Sequence, residues 1–153
     1  MKKIFLSIFL VGFLAACASE APKEEVNEPV AAESETDMAP VAAMPEERSV
    51  YFPFDVDAVQ EADRATVQAH GEYLRENGTA MVSVEGNADE RGSSEYNLAL
   101  GQRRASNVKK LLVLSGAQSS QVETVSFGEE KPRCSEHNES CWSQNRRADI
   151  VAK

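Results

Sequence analysis

One acidic and one basic side chain on consecutive predicted elements could together bind a ligand that carries both charges. Asp89 lies in a short charged turn that Gly92 closes, and Arg104 lies in the helical pattern that follows. An aspartate accepts hydrogen bonds from an ammonium group, and the planar guanidinium of an arginine grips a carboxylate in a forked geometry that lysine cannot copy. Alternatively, the two residues form a surface salt bridge that contributes about 0–1 kcal/mol. Residue types alone leave both interpretations open.

Alternating and helical patterns predict the elements that hold these two residues. Residues 81–85 alternate as a strand that ends at Gly86, and Ser93 or Ser94 is a candidate N-cap of a helix at roughly 94–115. The buried face of this helix is expected to contain Leu98, Gly101, Ala105, Val108, Leu111 and Leu112. Arg104 lies about 15 Å along that helix, so the sequence leaves its distance from Asp89 open.

Three further strands and another helix complete the predicted domain. We expect strands at 50–54, 122–127 and 148–151, and a helix at roughly 58–77. Pro53 places the first strand at a sheet edge or ends it. The apolar stripe of the helix is expected to contain Ala58, Ala62, Ala65, Ala69 and Tyr73, with Val67 and Leu74 beside it. This order predicts an α/β (α+β) fold, βαβαββ, with two helices packed on one face of a small mixed sheet.

Two polar features of this region have a structural and a functional interpretation. Asp55-Val56-Asp57 could be a calcium loop, but the central glycine and final glutamate of such a loop are missing, so a helix N-cap is favoured. His70 could be a general base, but no nucleophile lies near it in sequence, so a structural histidine is favoured.

Charge is unevenly distributed along the chain. Residues 18–47 contain nine acidic residues and one lysine, whereas residues 48–153 carry sixteen acids and thirteen bases, a net charge of −3. The folded part therefore offers no basic face that could release counterions from phosphates. This distribution argues against a nucleic-acid partner.

The motifs around Asp89 and Arg104 resemble a known family. Glu85-Gly86, Ala88-Asp89-Glu90-Arg91-Gly92, Tyr96-Asn97 and Gly101-Gln102-Arg103-Arg104-Ala105, with the closing Asn145-Arg146-Arg147-Ala148, are similar to the OmpA-like peptidoglycan-binding domain. The match covers roughly Ser49 to Lys153 and is greatest for the branch found in outer-membrane lipoproteins of Gram-negative bacteria. One departure is Asn87, which stands where these proteins commonly carry histidine.

The resemblance implies a function and a set of site residues. It places the ligand-binding Asp and Arg at Asp89 and Arg104. The ligand would be the diaminopimelate residue of peptidoglycan stem peptides, which carries an ammonium and a carboxylate on one carbon. Further candidate contacts are Asn97, Phe54, Asp55, Leu98, Leu100 and Arg146, although Arg146 and Arg147 could equally be a solvated basic pair. We expect no cofactor, metal or catalytic residue, and replacing Asp89 or Arg104 by alanine should leave the thermal midpoint nearly unchanged.

The first part of the chain predicts export and attachment to lipid. Met1-Lys2-Lys3 precedes an apolar run at 4–14, shorter than the roughly 20 residues that span a bilayer. The run ends in Leu14-Ala15-Ala16-Cys17, which resembles a lipobox, so residues 1–16 would be a signal peptide and Cys17 the lipidation site. The alternative is an ordinary signal peptide with an incidental cysteine. With no Asp after Cys17, sorting by analogy favours the outer membrane, facing the periplasm.

Residues 17–47 are predicted to be a disordered acidic tether before the domain at 48–153, because acids and prolines dominate and aromatics are absent. A helix at 31–43 is the alternative. The family resemblance also implies membership of a Tol–Pal system, in which the protein would meet a TolB-type β-propeller and other Tol proteins and act in cell division. Other possibilities are a cell-wall-binding lipoprotein without Tol partners, or a cell-wall hydrolase that uses Asp89, Glu90 or Glu95.

A cysteine pair near the end of the chain has two possible uses. Cys134 and Cys141 would form a disulfide in an oxidising compartment, which favours pairing. Together with His137 they could instead supply three zinc ligands, but no fourth ligand is obvious. We expect the disulfide.

Overall fold

The computed structural model describes residues 43–153, and the structural statements below concern that range. The predicted signal peptide, Cys17 and most of the predicted tether lie outside the described residues. Within 43–153, no helix is both long enough and apolar enough to cross a bilayer. The same range contains no cluster of three or more His, Cys, Asp or Glu residues that could hold a metal ion.

Four strands form one mixed sheet, and helices connect them. In chain order, the strands are β1 (Ser49–Tyr51), β2 (Val82–Asn87), β3 (Val122–Gly128) and β4 (Arg147–Ala152). The α-helices are α1 (Glu61–Glu76), α2 (Ser94–Leu114) and α3 (Glu139–Asn145). The sheet order is β1-β4-β2-β3; β4 is antiparallel to both neighbours, and β2 and β3 are parallel. The predicted mixed α/β fold, with β1 at an edge, is confirmed.

The two long helices pack on the same face of the sheet. In β2, Val82 and Val84 are buried while the alternate residues Ser83 and Glu85 are half-buried, as a one-sided sheet requires. The core joins side chains of the strands and of both helices: Val50, Val82, Val84, Val122 and Ile150 from the sheet, and Val67, Leu74, Ala105, Val108 and Leu112 from α1 and α2. The predicted bounds of β2, β3, β4 and α2 are each confirmed to within two residues.

A contact between two backbones sets the position of α2. A Cβ atom on Gly86 would lie 1.9 Å from the carbonyl oxygen of Gly101, so only glycine allows the helix to approach β2 this closely. Ser93 begins the helix as N-cap, because its Oγ accepts a hydrogen bond from the backbone N–H of Tyr96 at 3.2 Å. This contact places the first half of α2 beside the end of β2.

The predicted apolar stripe of α1 was wrong for its four alanines, whereas Val67 and Leu74, predicted beside it, are buried as expected. The alanines of that stripe are exposed, whereas the buried residues are Val67, His70, Gly71 and Leu74. These four have the i, i+3, i+4, i+7 spacing of one helix face. Gly71 lets this face of α1 approach the end of α2, since a Cβ at position 71 would lie 2.4 Å from Cβ of Ser115.

The segment before α1 also differs from the expectation. β1 ends at Tyr51, and α1 begins at Glu61 after an N-cap, Gln60, whose side chain makes no capping hydrogen bond. Asp57 is therefore not a helix cap. Its carboxylate accepts hydrogen bonds from Arg103 at 3.0 Å and Asn107 at 3.3 Å, which tie this loop to α2.

His70 occupies a structural position, as expected. Its ring is fully buried, and Nε2 donates to the carbonyl oxygen of Glu47 at 2.8 Å. A carbonyl can only accept, so this bond places the proton on Nε2. Burial lowers the pKa of His70 more than the Glu47 bond raises it, which keeps the ring neutral at pH 7.

Candidate functional site

A cavity of about 190 Å³ opens between the loop after β1, the turn after β2 and the first turns of α2. Its lining residues are Phe54, Asp55, Ala88, Asp89, Arg91, Gly92, Tyr96, Asn97, Leu100, Arg104 and Arg146. Seven of the eight site residues expected from the sequence are in this set. The eighth, Leu98, lies on α2 with 51% of its surface exposed and does not line the cavity.

Arg104 is the buried cation of this cavity and ties three segments together. Its guanidinium donates to the carbonyl oxygens of Val56 at 2.9 Å, Asn87 at 2.8 Å and Pro53 at 3.2 Å. The side chain has no exposed surface. Burial lowers its pKa to about 10, while the nearby charge of Asp89 opposes this effect, so Arg104 stays positively charged at neutral pH.

Arg104 bonds three backbone carbonyls from its fully buried position, so we now expect an alanine at position 104 to lower the stability, unlike the expectation from the sequence.

Asp89 is the anion of the cavity, and two arginines satisfy it. Oδ1 accepts from the backbone N–H and from Nε of Arg91, both at 3.1 Å. Oδ2 accepts from Nη2 of Arg91 at 2.6 Å and from Nη1 of Arg146 at 3.2 Å. Burial alone would raise the pKa of Asp89, but the hydrogen bonds from Arg91 and Arg146 outweigh it and lower the pKa below its usual value.

Asp89 and Arg104 face one cavity without bonding to each other. The donors to Asp89 are Arg91 and Arg146, and the acceptors of Arg104 are backbone carbonyls. The salt bridge considered from the sequence is therefore absent between these two residues. Of its five N–H groups, Arg104 uses three, which leaves two for another partner.

Arg91 is the charged residue of this site that the sequence did not single out; the other unpredicted lining residues are Ala88, Gly92 and Tyr96. Its guanidinium carbon lies 4.1 Å from the ring centroid of Phe54 and 4.2 Å from that of Trp142, so two aromatic rings hold it. Its side chain is 31% exposed, and Nη2 lies 3.7 Å from Oε2 of Glu139. Little in the sequence indicated this role, because Arg91 is one of several charged residues in a short turn.

Arg146 and Arg147 are not a solvated pair. Arg146 is 5% exposed and donates to the Phe52 carbonyl at 3.0 Å, to Asp89 and to Glu139 at 2.5 Å. Arg147 is 7% exposed and pairs with Asp149 at 2.8 Å. Arg146 lines the cavity while Arg147 does not.

Polar side chains of α2 complete the wall of the cavity. The hydroxyl of Tyr96 donates to Asp55, whose φ of 57° places it in the left-handed region that side chains seldom adopt. Asn97, which is 1% exposed, donates through Nδ2 to the carboxylate of Glu129, which directly follows β3. Leu100 supplies an apolar part of the floor. These contacts hold the cavity walls in place before any ligand enters.

Comparison with known proteins identifies the fold that carries this cavity. The model of the OmpA family matches residues 51–151, a range that includes every residue lining the cavity. The chain belongs to the OmpA family. The match covers two thirds of the chain and most of the sheet and helices described above.

Relatives of this OmpA-family chain include proteins named peptidoglycan-associated lipoprotein. That of Pasteurella multocida is 40% identical over 151 residues, covering 99% of this chain and 97% of the relative. That of Haemophilus influenzae is 47% identical over 103 residues, or 67% of each chain. The crystal structure of the peptidoglycan-associated lipoprotein from Burkholderia pseudomallei is 50% identical, with a TM-score of 0.69 over 70% of this chain and 91% of that one.

A more distant likeness supports the fold alone. The C-terminal domain of MotB from Helicobacter pylori is 17% identical, with a TM-score of 0.63 over 70% of this chain and 84% of that one. At this identity the two domains share the path of the backbone alone.

One element near the cavity of this OmpA-family domain, helix α3, was not predicted from the sequence. Asn138 is the N-cap of helix α3, and its side chain accepts from the backbone N–H of Cys141 at 3.1 Å. Cys134 and Cys141 form a disulfide with a Cα–Cα distance of 5.0 Å, so the expected pairing is present and the zinc alternative is wrong. Trp142 and Glu139, both on this disulfide-linked helix, lie close to the guanidinium of Arg91.

Asn87, the departure from the family pattern, lies outside the cavity lining. It is 1% exposed, and its Nδ2 donates to the carbonyl oxygen of Glu85 at 3.1 Å. Its own carbonyl is one of the three that Arg104 bonds. The contribution of Asn87 to the site is thus made by its backbone.

Proposed function

We propose that this protein binds peptidoglycan non-covalently, through the diaminopimelate residue of the stem peptide. The ammonium of that residue would lie against Asp89, and its carboxylate would accept from the free N–H groups of Arg104. Asn97, Phe54, Asp55, Leu100 and Arg146 would form the walls, and Leu98 would contact the ligand only outside the cavity. The relatives named peptidoglycan-associated lipoprotein support this assignment.

The observation that carries the proposal is the balance of opposite charges around one small cavity. Its charged lining groups are two carboxylates and three guanidinium groups, those of Asp55, Asp89, Arg91, Arg104 and Arg146. Glu139 lies within 4 Å of two of these arginines and adds a third negative charge. A head group with one ammonium and one carboxylate would add no net charge to such a site, and each of its charges would meet an opposite one.

The proposal includes an anchor and partners. Residues 1–16 would be removed as a signal peptide, Cys17 would carry lipid in the outer membrane, and 17–47 would tether the domain of 48–153 in the periplasm. The names of the relatives and the Leu-Ala-Ala-Cys pattern support a lipoprotein. By the family resemblance, the protein would act with a TolB-type β-propeller and other Tol proteins in envelope integrity and cell division.

The electrostatics of the acidic residues favour binding over hydrolysis. A glycosidase needs a carboxylic acid whose pKa is raised so that it can donate a proton. Glu90 accepts hydrogen bonds from His137 and Trp142, which lower its pKa, and the pKa of Asp89 is also lowered. We therefore propose that the protein is not an enzyme.

Incubation with purified sacculi tests this proposal. Sacculi of a Gram-negative bacterium are mixed with the full chain in non-ionic detergent, and both pellet and supernatant are examined. We expect the chain to pellet with the sacculi and no muropeptides to appear in the supernatant. Release of soluble fragments would instead identify a hydrolase, and a chain that stays in the supernatant would contradict cell-wall binding.

A further inference from the structure

The carboxylate of Asp89 has no acceptor position left for a ligand. A carboxylate offers about four lone-pair positions, and Asp89 accepts four hydrogen bonds from Arg91 and Arg146 at 2.6–3.2 Å. An incoming ammonium therefore has to replace one of these donors. Which donor leaves determines how the site binds its ligand.

Arg146 is held too firmly to leave. Its side chain is 7% exposed, and besides Asp89 it bonds the carbonyl oxygen of Phe52 and the carboxylate of Glu139. Breaking the Asp89 contact would leave a buried guanidinium with one fewer partner, which is costly. The buried arginine thus stays as the permanent counter-ion of Asp89.

Arg91 can leave, because its surroundings allow its guanidinium to move. It is 31% exposed, and its side-chain hydrogen bonds both go to Asp89. The rings of Phe54 and Trp142 lie 4.1 and 4.2 Å from its guanidinium carbon, and this attraction to a ring is less directional than a hydrogen bond, so it allows a small shift.

Glu139 supplies the second acceptor for this movement. Its Oε2 lies 3.7 Å from Nη2 of Arg91, too long for a hydrogen bond but close enough that a shift of about 1 Å would form one. The other oxygen, Oε1, already accepts from Arg146 at 2.5 Å, which holds the carboxylate in place. Arg91 would thus keep a negative partner throughout.

We propose that Arg91 occupies the ammonium position of the ligand in the free protein and moves to Glu139 when the ligand binds. Arg91 and Glu139 are then positioning residues that set the affinity, through an exchange of partners at Asp89. This inference rests on the proposed function, because it takes the ligand to be a stem peptide with a free ammonium. It also predicts that anionic ligands without an ammonium leave Arg91 where it is.

A double-mutant cycle tests the exchange. The probe is the stem tripeptide that ends in meso-diaminopimelate, titrated calorimetrically into the full chain in non-ionic detergent. Glu139→Gln keeps an oxygen for Arg146 but removes the charge that receives Arg91, so we expect binding about tenfold weaker than wild type. Arg91→Ala removes the competitor, so we expect binding at least as tight as wild type. In the Arg91→Ala background, Glu139→Gln should change the affinity by less than about twofold.

Control and spectroscopic measurements separate this exchange from a structural role. Arg64→Ala removes an exposed arginine that pairs with Glu61 at 2.8 Å on α1, and it should bind like wild type. The Nε–H signal of Arg91, assigned by its loss in Arg91→Ala, should shift at saturating tripeptide in wild type, a readout made on the unaltered chain. An unshifted signal, or an equal loss from Glu139→Gln in both backgrounds, would overturn the exchange while the binding function stands. Absence of wild-type binding would instead overturn the proposed function.

Discussion

Asp89→Asn is expected to weaken binding of the meso-diaminopimelate tripeptide by about 100-fold or more. Asparagine keeps the shape of the side chain and one oxygen for the backbone N–H of Arg91, but it removes the charge that the ammonium would contact. Removing one member of a buried, hydrogen-bonded charge pair typically costs 2–5 kcal/mol, which corresponds to this loss. Calorimetric titration of the variant and of wild type measures the ratio directly.

The matched control for this variant is the adjacent acid. Glu90→Gln changes an exposed carboxylate that pairs with His137 and Trp142 and does not line the cavity. Glu90→Gln should keep the affinity of wild type for the tripeptide within about threefold. Asp89→Asn itself should lower the free energy of unfolding by only about 1–2 kcal/mol. Equal losses of affinity in the two variants would show that general negative charge, and not Asp89, is responsible.

Arg104→Ala is expected to lower the free energy of unfolding by about 3–5 kcal/mol. The carbonyl oxygens of Val56 and Asn87 would lose a donor, that of Pro53 would keep only its bond from the backbone N–H of Val56, and the removed side chain would leave a cavity. Because small domains have total stabilities of roughly 5–15 kcal/mol, this loss would remove a large fraction of the total. Urea denaturation followed by circular dichroism measures the loss.

The neighbouring arginine provides the comparison. Arg103 is exposed and forms one ion pair with Asp57 at 3.0 Å, so Arg103→Ala should cost less than about 1 kcal/mol. If the two alanine variants had the same midpoint, the hydrogen bonds of Arg104 would contribute nothing measurable. Loss of binding in Arg104→Ala would not isolate a ligand contact, so Arg104→Lys, which keeps the charge but lacks the forked geometry, is the better probe of that contact.

The regular elements of the fold could be predicted because their patterns are local. The strand at Val82 and the long helix from Ser94 follow directly from alternation, capping and three-four spacing. The buried face of α1 could not, because its contact with α2 depends on Gly71 fitting against Ser115. Helix α3 was missed because seven residues carry too little periodicity to distinguish a helix from a loop.

The site could be predicted in part for a similar reason. Asp89, Asn97 and Arg104 are close in sequence and belong to a motif shared with a known family. Arg91 and Glu139 are 48 positions apart, and only the packing of α3 against the turn after β2 brings them together. The saturation of Asp89 joins two distant segments, the turn that holds Asp89 and Arg91 and the end of α3 at Arg146, which no local pattern records.

Calorimetric titration with three stem tripeptides tests the central claim most directly. The first ends in meso-diaminopimelate, the second in lysine, which lacks the terminal carboxylate, and the third in 2-aminopimelate, which lacks the terminal ammonium. Recognition of both charges by Asp89 and Arg104 predicts that only the first binds well and that each of the others binds at least about 30-fold more weakly. Equal affinity for the first peptide and either of the others would contradict recognition of a zwitterionic head group.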